Sequence, residues 1–277
     1  MSQTAIEVRP LTPTIGAEIF GVDLGGEISN QQYDAIHEAL LRHVVIFFRD
    51  QKMTPEQHKA FGRRFGKLHL HPASPNLLEG HPEILLIQAN EKSKRVAGEV
   101  WHSDVSCDPE PPMGSILYMH ETPANGGGDT MFANMYTAFE TLSAPMQRFL
   151  EGLSAVHDGE HVYRGRYGWN DSGKTYPRSV HPVVRTHPET GRKALFVNRG
   201  FTTAIEGLNR DESDALLEML YDHAETPEYQ CRFKWQPGSV AFWDNRAAMH
   251  HAMWDYFPHS RRAHRVTICG DRPFYRA

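Results

Sequence analysis

Short apolar runs separated by turn residues dominate the chain, and they predict a protein rich in β-strands. Most runs are four or five residues long and contain β-branched or aromatic side chains, which is typical of buried strands. They occupy residues 44–48, 84–87, 115–119, 183–185, 194–197, 231–235, 239–243 and 265–269. The turn at residues 188–191 joins two of them, which predicts a hairpin. So many strands at short spacing predict a barrel or a jelly roll.

A smaller number of segments carry helix signals. Ser29 with Gln32 forms a capping-box pattern before a helix to about Leu41, and Thr54-Pro55-Glu56-Gln57 begins a second helix to about Phe65. Two further helices are predicted at residues 135–150, with a break near 143–145, and at residues 211–223. We expect the early helices to pack on the outside of the strands.

The stretch from Gly159 to Pro177 has no clear periodicity and is rich in Gly, Tyr and charged residues. Long unpatterned segments in compact domains are often functional loops. We therefore predict a loop here that covers the site once substrate binds.

Composition narrows the classes of protein that the chain can belong to. No Pro/Gly/Ser-rich linker divides the 277 residues, which favours one domain over residues 1–277. The net charge is −5 and basic residues form no block, which argues against a nucleic-acid partner. The start of the chain lacks a signal-peptide core and no apolar run is long enough to cross a membrane, so a cytoplasmic location is expected. Three cysteines without a CxxC pair argue against a disulfide scaffold or a zinc ribbon.

Two short motifs carry the candidate chemistry. The first is Trp101-His102-Ser103-Asp104, and the second, Trp243-Asp244-Asn245-Arg246-Ala247-Ala248-Met249-His250, is followed by His251. If the first motif is a strand, His102 and Asp104 leave on the same face. Two imidazoles and one carboxylate suit a non-haem Fe(II) oxygenase. Taken alone, each motif is also compatible with a satisfied core or surface pair, because the chain contains 17 His.

A basic cluster near the end of the chain adds a third element. Residues 261, 263 and 265 would share one face of a strand, so Arg261 and Arg265 could both point inward. Two inward guanidinium groups are costly without anionic partners. Either they pair with structural carboxylates, or one binds a carboxylate cosubstrate and the other an anionic substrate.

With these motifs in place, the chain resembles the taurine dioxygenase/2,4-dichlorophenoxyacetate dioxygenase family of Fe(II)- and 2-oxoglutarate-dependent oxygenases. The likeness is greater to taurine dioxygenase than to the herbicide-degrading branch. The resemblance implies a mainly β fold with peripheral helices around a double-stranded β-helix core, which is a cupin-like jelly roll. The matching segments are residues 14–19, 65–72, 101–104, 127–130, 181–188, 196–203, 243–250 and 270–276.

The resemblance also implies roles for eight residues. The iron ligands would be His102, Asp104 and His250, the partners of 2-oxoglutarate Thr130 and Arg261, and the substrate-binding residues His71, Arg265 and Phe201. His251 is then expected to be a packing residue beside the ligand. The cofactors implied are Fe(II), 2-oxoglutarate as cosubstrate, and O2.

Two positions depart from the taurine dioxygenase pattern. Ser74 stands where those enzymes carry a tyrosine, and Gly98 stands where they carry an asparagine that faces the substrate amine. Both changes remove polar groups near the end of the substrate that is not anionic. Taurine is therefore one candidate among several small organic anions.

The reaction that the resemblance implies is hydroxylation next to the anionic group of a small substrate. An alkylsulfonate such as taurine would release sulfite and an aldehyde, while 2-oxoglutarate is converted to succinate and CO2. The same chemistry on an alkyl sulfate ester or on a carboxylate such as an aryloxyalkanoate is the alternative. A non-catalytic jelly-roll binding protein is a further alternative, and a zinc hydrolase fits poorly because no general base accompanies the ligands. A homodimer or a homotetramer is expected.

Overall fold

The described part of the chain contains sixteen strands and six α-helices. The computed structural model describes residues 6–71, 76–165 and 171–277. The strands are β1 (Glu7–Pro10), β2 (Ala17–Phe20), β3 (Val45–Phe48), β4 (Leu77–Leu78), β5 (His81–Ala89), β6 (Gly114–Glu121), β7 (Thr130–Asn134), β8 (Ser154–Asp158), β9 (Arg178–Pro182), β10 (Val184–Thr186), β11 (Lys193–Leu195), β12 (Thr202–Ile205), β13 (Gln230–Phe233), β14 (Val240–Asp244), β15 (Ala248–Ala252) and β16 (Arg261–Ile268). The α-helices are α1 (Asn30–His43), α2 (Pro55–Arg63), α3 (Met135–Glu140), α4 (Ala144–Leu150), α5 (Gly159–Tyr163) and α6 (Arg210–Ala224).

The main sheet interleaves strands from the two ends of the chain. Its order is β1-β2-β3-β14-β6-β16-β5-β4, so β14 and β16 insert between strands of the first half. A three-stranded sheet of order β13-β7-β15 faces it, and the smaller sheets β12-β8-β9 and β10-β11 complete the strand set. The mainly β jelly-roll architecture predicted from the sequence is confirmed.

Apolar side chains fill the space between the main sheet and the β13-β7-β15 sheet. Phe47 stacks on Phe233 with ring centres 3.9 Å apart, and Phe132 packs against Phe47 and Trp243. This inner layer buries the residues that surround the candidate site. The outer face of the main sheet is covered by α1 and α2, which bury residues such as Ile36, Leu40 and Phe61. The predicted position of the early helices is therefore confirmed.

The helix starts follow the local sequence signals. Ser29 and Thr54 are the N-caps of α1 and α2, and in each case the third helical residue, a glutamine, completes the capping box. The break predicted near residues 143–145 separates α3 from α4. The hairpin predicted around residues 188–191 is present as the antiparallel pair β10–β11.

Several elements differ in extent or type from the sequence prediction. The second helix ends at Arg63 rather than near Phe65, and β16 begins four residues earlier than predicted, at Arg261. The stretch predicted as a loop from residue 159 begins with the short helix α5, which Asp158 caps. Residues 166–170 of that stretch lie outside the described residues, as does Ser74.

Among the residues that the structure describes, no helix combines the length and the apolar character needed to span a lipid bilayer.

Four imidazoles away from the candidate site are kept neutral by the fold. Burial lowers the pKa of His58 and His157 to about 3, and that of His120 and His181 to about 4. In the unfolded chain each group titrates near pH 6.5. Below that pH the unfolded chain takes up protons that the folded chain excludes, so the fold loses stability as the pH falls.

We expect the free energy of unfolding to fall between pH 6.5 and about pH 4, by up to about 1.4 kcal/mol per pH unit for each such histidine. Denaturant titrations across this range measure the slope. His58→Phe should reduce the slope by up to about 1.4 kcal/mol per pH unit, which is the contribution of one proton. An equal slope in wild type and His58→Phe would contradict the explanation.

Candidate active site

His102, Asp104 and His250 come together at the inner end of a cavity. One ligand atom from each lies within 4.8 Å of the others. The Nε2 atoms of His102 and His250 lie 3.6 and 3.9 Å from the same oxygen, Oδ1 of Asp104. His251, the next residue on β15, is not part of this group and packs against Trp101 with ring centres 5.6 Å apart. The three residues thus form one candidate metal-binding group with two nitrogen donors and one oxygen donor.

The first motif reaches this group without forming a strand. Residues 101–104 contain only an isolated bridge between His102 and His250, and a turn follows in which Val105 has φ +48°. The conditional strand prediction for this motif is therefore wrong. The bridge joins the two histidines through backbone hydrogen bonds of 3.0 and 2.8 Å, so the backbone itself sets their spacing.

The ring of His102 is oriented by backbone on several sides. Its Nδ1 lies 2.7 Å from the carbonyl oxygen of Val100, which can only accept, so Nδ1 carries the hydrogen and Nε2 presents a lone pair to the site. Gly98, at φ +85°, lies beside the ring, where a Cβ would approach His102 Cε1 to 3.0 Å. A Cβ on Gly200 would lie 2.9 Å from the Cβ of His102. Both glycines thus allow close packing around this imidazole.

Asp104 is fully buried and is held by several partners. Ser115 Oγ donates to Oδ2 at 2.7 Å, and the Asn245 side chain contacts both Ser115 Oγ and the backbone N–H of Asp104, at 3.2 and 3.4 Å. Arg265 Nη1 donates to Oδ1 at 2.5 Å. Burial alone would raise the pKa of Asp104, but the Arg265 guanidinium and the two imidazoles outweigh it and hold that pKa well below its usual range. The carboxylate is therefore anionic, and Oδ1 faces the histidines.

The predicted inward direction of Arg261 and Arg265 is confirmed on β16. Arg261 and Arg265 are buried, whereas Arg262 is exposed. Arg261 Nε donates to the carbonyl oxygen of Gly128 at 3.2 Å, and among the described residues no carboxylate lies within ion-pair distance of Arg261. Arg265 pairs with Asp104, but its Nε has no hydrogen-bond partner in the described part of the chain. Both guanidinium groups retain donors that an anionic ligand would satisfy.

Thr130 lies at the start of β7, near Arg261. Its hydroxyl oxygen accepts a 2.9 Å hydrogen bond from Trp235 Nε1, so the hydroxyl hydrogen remains available for another acceptor. The Arg261 guanidinium lies over the Trp235 ring at 5.7 Å. Trp235 therefore orients both residues that sequence analysis assigned to the cosubstrate.

Aromatic rings also line the site. The ring centres of His71 and Phe201 lie 5.7 and 5.8 Å from that of Tyr163. Burial and then the charge of Arg265 lower the pKa of His71 to about 3, so this imidazole is neutral at pH 7.

A single cavity of about 730 Å³ includes all the residues that sequence analysis predicted for the site. They are His71, His102, Asp104, Thr130, Phe201, His250, Arg261 and Arg265. Gly98 and four residues of the predicted covering loop, His161, Val162, Tyr163 and Gly165, also line it. That this loop covers the site once substrate binds stays a prediction.

Sequence analysis missed the residues that support Asp104 and Thr130. Ser115, Asn245 and Trp235 are all buried and make their contacts with side chains from other elements. Ser115 and Trp235 lie in segments that were predicted only as strands. Asn245 lies within the second motif, two residues after Trp243, and this position was the one available signal of its role.

Comparisons with known proteins agree with this geometry. The sequence profile described as "Taurine catabolism dioxygenase TauD, TfdA family" matches residues 7–267. The alpha-ketoglutarate-dependent sulfonate dioxygenase of Saccharomyces cerevisiae is 35% identical over 97% of this chain and 68% of its own length. The alpha-ketoglutarate-dependent sulfate ester dioxygenase of Pseudomonas putida is 34% identical over 97% of this chain and 91% of its own length.

A solved structure extends the agreement to the fold. The crystal structure of a taurine dioxygenase from Burkholderia xenovorans superposes with a TM-score of 0.86 at 40% identity, covering 98% of this chain and 93% of the other. Fold and cavity together define an oxygenase of the jelly-roll class. The chain belongs to the TauD/TfdA family of dioxygenases. It is an enzyme that uses 2-oxoglutarate, also called alpha-ketoglutarate.

Close packing at Gly200 gives a prediction about His102. In Gly200→Ala the added methyl group would meet His102 Cβ at 2.9 Å, so we expect a loss of about 1–3 kcal/mol of stability from overpacking. Thermal or denaturant unfolding measures the loss. Gly152→Ala is the matched control, because a Cβ there meets no atom within 4 Å. Equal stability of the two variants would show that residue 200 does not press on His102.

Proposed function

We propose that this enzyme is an Fe(II)- and 2-oxoglutarate-dependent dioxygenase that hydroxylates a small organic sulfonate. The observation that carries the proposal is the arrangement of two buried guanidinium groups, Arg261 and Arg265, on one face of β16 beside the His-Asp-His group. One positive group is available for the cosubstrate and one for the substrate. The sulfonate and taurine dioxygenases among the relatives support this choice of substrate.

The donor set fits Fe(II). His102 and His250 supply imidazole nitrogens, and Asp104 supplies a carboxylate, which is the two-histidine, one-carboxylate set of non-haem iron oxygenases. The hydrogen bond from His102 Nδ1 to the Val100 carbonyl leaves Nε2 free to bind a metal. None of these ligands is a thiolate, which would favour zinc or copper(I).

The cosubstrate is assigned to Arg261 and Thr130. Arg261 would bind the distal carboxylate of 2-oxoglutarate, which supplies the anionic partner that this buried side chain lacks among the described residues. The Thr130 hydroxyl would donate to the same carboxylate, since its oxygen already accepts from Trp235.

The substrate anion is assigned to Arg265 and His71, with Phe201 against its carbon body. Arg265 lies directly against Asp104, so an anion that it holds sits beside the metal ligands, and the carbon next to the anion is the first to reach the reacting centre. Iron with 2-oxoglutarate and O2 supplies the oxidation, with formation of succinate and CO2. Hydroxylation at a carbon that bears a sulfonate gives a product that breaks down to sulfite and an aldehyde.

A sulfate ester is the second candidate, because the relative from Pseudomonas putida is a sulfate ester dioxygenase of similar identity. The same cavity and the same arginine would hold that anion. Its hydroxylated product would release sulfate instead of sulfite.

The proposal is tested by turnover with Fe(II), 2-oxoglutarate, O2 and a panel of alkylsulfonates, alkyl sulfates and aryloxyalkanoates. We expect succinate to form in proportion to sulfite with a sulfonate. His102→Ala, which removes one metal donor, is expected to lose at least about 100-fold of this turnover. Succinate without sulfite on every sulfonate would contradict the sulfonate assignment. The absence of substrate-dependent succinate with all three classes would contradict the proposed function.

Support of Asp104 by Ser115 gives a second prediction. Ser115→Ala removes the donor to Oδ2 and lets the carboxylate rotate, so we expect divalent-metal affinity to fall about 10- to 100-fold. Anaerobic titration with Mn²⁺ or Co²⁺ measures this affinity independently of turnover. Thr267→Val is the matched control, since Thr267 Oγ1 lies 3.5 Å from Ser115 but makes no hydrogen bond to Asp104. Equal metal affinities would mean that Ser115 does not position the carboxylate.

Three broader expectations also remain proposals. We infer a single domain over residues 1–277, a homodimer or homotetramer, and a cytoplasmic location. Size-exclusion chromatography with light scattering measures the subunit number.

A further inference from the structure

The cavity is larger than a two-carbon substrate requires. Its volume of about 730 Å³ lies within the range of pockets for drug-sized ligands, about 300–1,000 Å³. The inner end contains the residues assigned to metal, cosubstrate and substrate anion. The outer part is bordered by the segment 90–100, which precedes the first motif. This outer part is where the end of the substrate opposite to the anion would lie.

The charged groups of the outer part do not favour an ammonium, and its other polar side chains, Asn76, Gln88, Asn90 and Ser93, are neutral. Among the described residues that line the cavity, the carboxylates are Asp104 and Glu99. Asp104 is already paired with Arg265, and Glu99 lies 4.0 Å from Arg95. Lys92 and Lys94 add further positive charge on the same segment. An ammonium here would face more cations than free carboxylates, which is unfavourable.

Gly98, which stands where taurine dioxygenases carry an asparagine, also gives the site no group that would bind an amine. Residue 98 has no side chain, its carbonyl accepts a 2.8 Å hydrogen bond from Ala252 N, and its backbone lies against the His102 ring. No side-chain amide is therefore available at this position to bind an amine.

Apolar side chains occupy much of the remaining wall. Leu85 and Ile87 reach the cavity from β5, and Val162 reaches it from α5. Val96, two residues before Gly98, and Met253, directly after β15, also line the cavity. Apolar walls bind hydrocarbon by removing it from water, and they penalise a charged group that loses its hydration.

We propose that the substrate of this enzyme is a sulfonate or sulfate anion with an apolar alkyl or aryl body, and that the site selects against an ammonium at its far end. This inference rests on the proposed function, because it takes Arg265 as the anion-binding residue. It predicts that taurine is a poor substrate, although taurine dioxygenases are among the relatives.

A matched pair of substrates tests the inference. Propane-1-sulfonate differs from taurine in having a methyl group where taurine has its ammonium. We expect its kcat/KM to exceed that of taurine by at least about tenfold. Along the series propane-, butane-, pentane- and hexane-1-sulfonate, kcat/KM should rise by up to about fourfold per methylene, which corresponds to about 0.8 kcal/mol. Succinate is measured in every reaction.

Binding without turnover gives a second readout. Calorimetric titration under nitrogen, with protein loaded with Mn²⁺ and 2-oxoglutarate, should show the same order of affinities. Glu99→Gln tests the one described carboxylate of the outer part that could bind an amine. We expect this variant to change the ratio of propane-1-sulfonate to taurine turnover by less than about twofold, since Glu99 lies beside Arg95.

The outcomes separate the two proposals. If taurine equals or exceeds propane-1-sulfonate, or if Glu99→Gln selectively lowers taurine turnover, the inference about the apolar body is wrong while the proposed function stands. If no sulfonate or sulfate yields succinate, the assignment of Arg265 to such an anion fails, and the inference fails with it. A preference for propane-1-sulfonate that grows with chain length supports both.

Discussion

Burial of the Asp104 carboxylate is the constraint on which the site depends. A carboxylate this deep in an apolar core persists only with positive charge and hydrogen-bond donors around it. Arg265 of β16 and Ser115 of β6 supply them, and His250 of β15 faces the same carboxylate oxygen. One buried charge therefore ties the middle of the main sheet to the sheet that faces it, and the cavity forms where the two meet.

Much of the fold and of the site could be predicted from the sequence, because the signals involved are local or periodic. The helix starts at Ser29 and Thr54 depend on side chains three residues apart. The inward direction of Arg261 and Arg265 follows from the two-residue period of a strand. Family resemblance then selected eight residues from distant segments, and one cavity contains them all.

What could not be predicted depends on contacts between segments far apart in the chain. The argument that His102 and Asp104 share one face assumed a strand for the first motif, whereas the motif is an isolated bridge from His102 to His250, followed by a turn. Ser115 was predicted only as a strand residue, and its hydrogen bond to Asp104 depends on how β6 packs against the first motif. The edge strand β1 and its neighbour β2 are each four residues long and gave no clear pattern.

Interleaving of the main sheet has a consequence for when the candidate metal site can be complete during synthesis. β14 and β16 pair with β3, β5 and β6, so until the last quarter of the chain is present β6 has no strand neighbour, and β3 and β5 have one each. His250 joins His102 only at that stage. A growing or truncated chain that lacks residue 250 therefore lacks one member of the proposed ligand set, so the proposed metal site can be complete only once the last strands are in place.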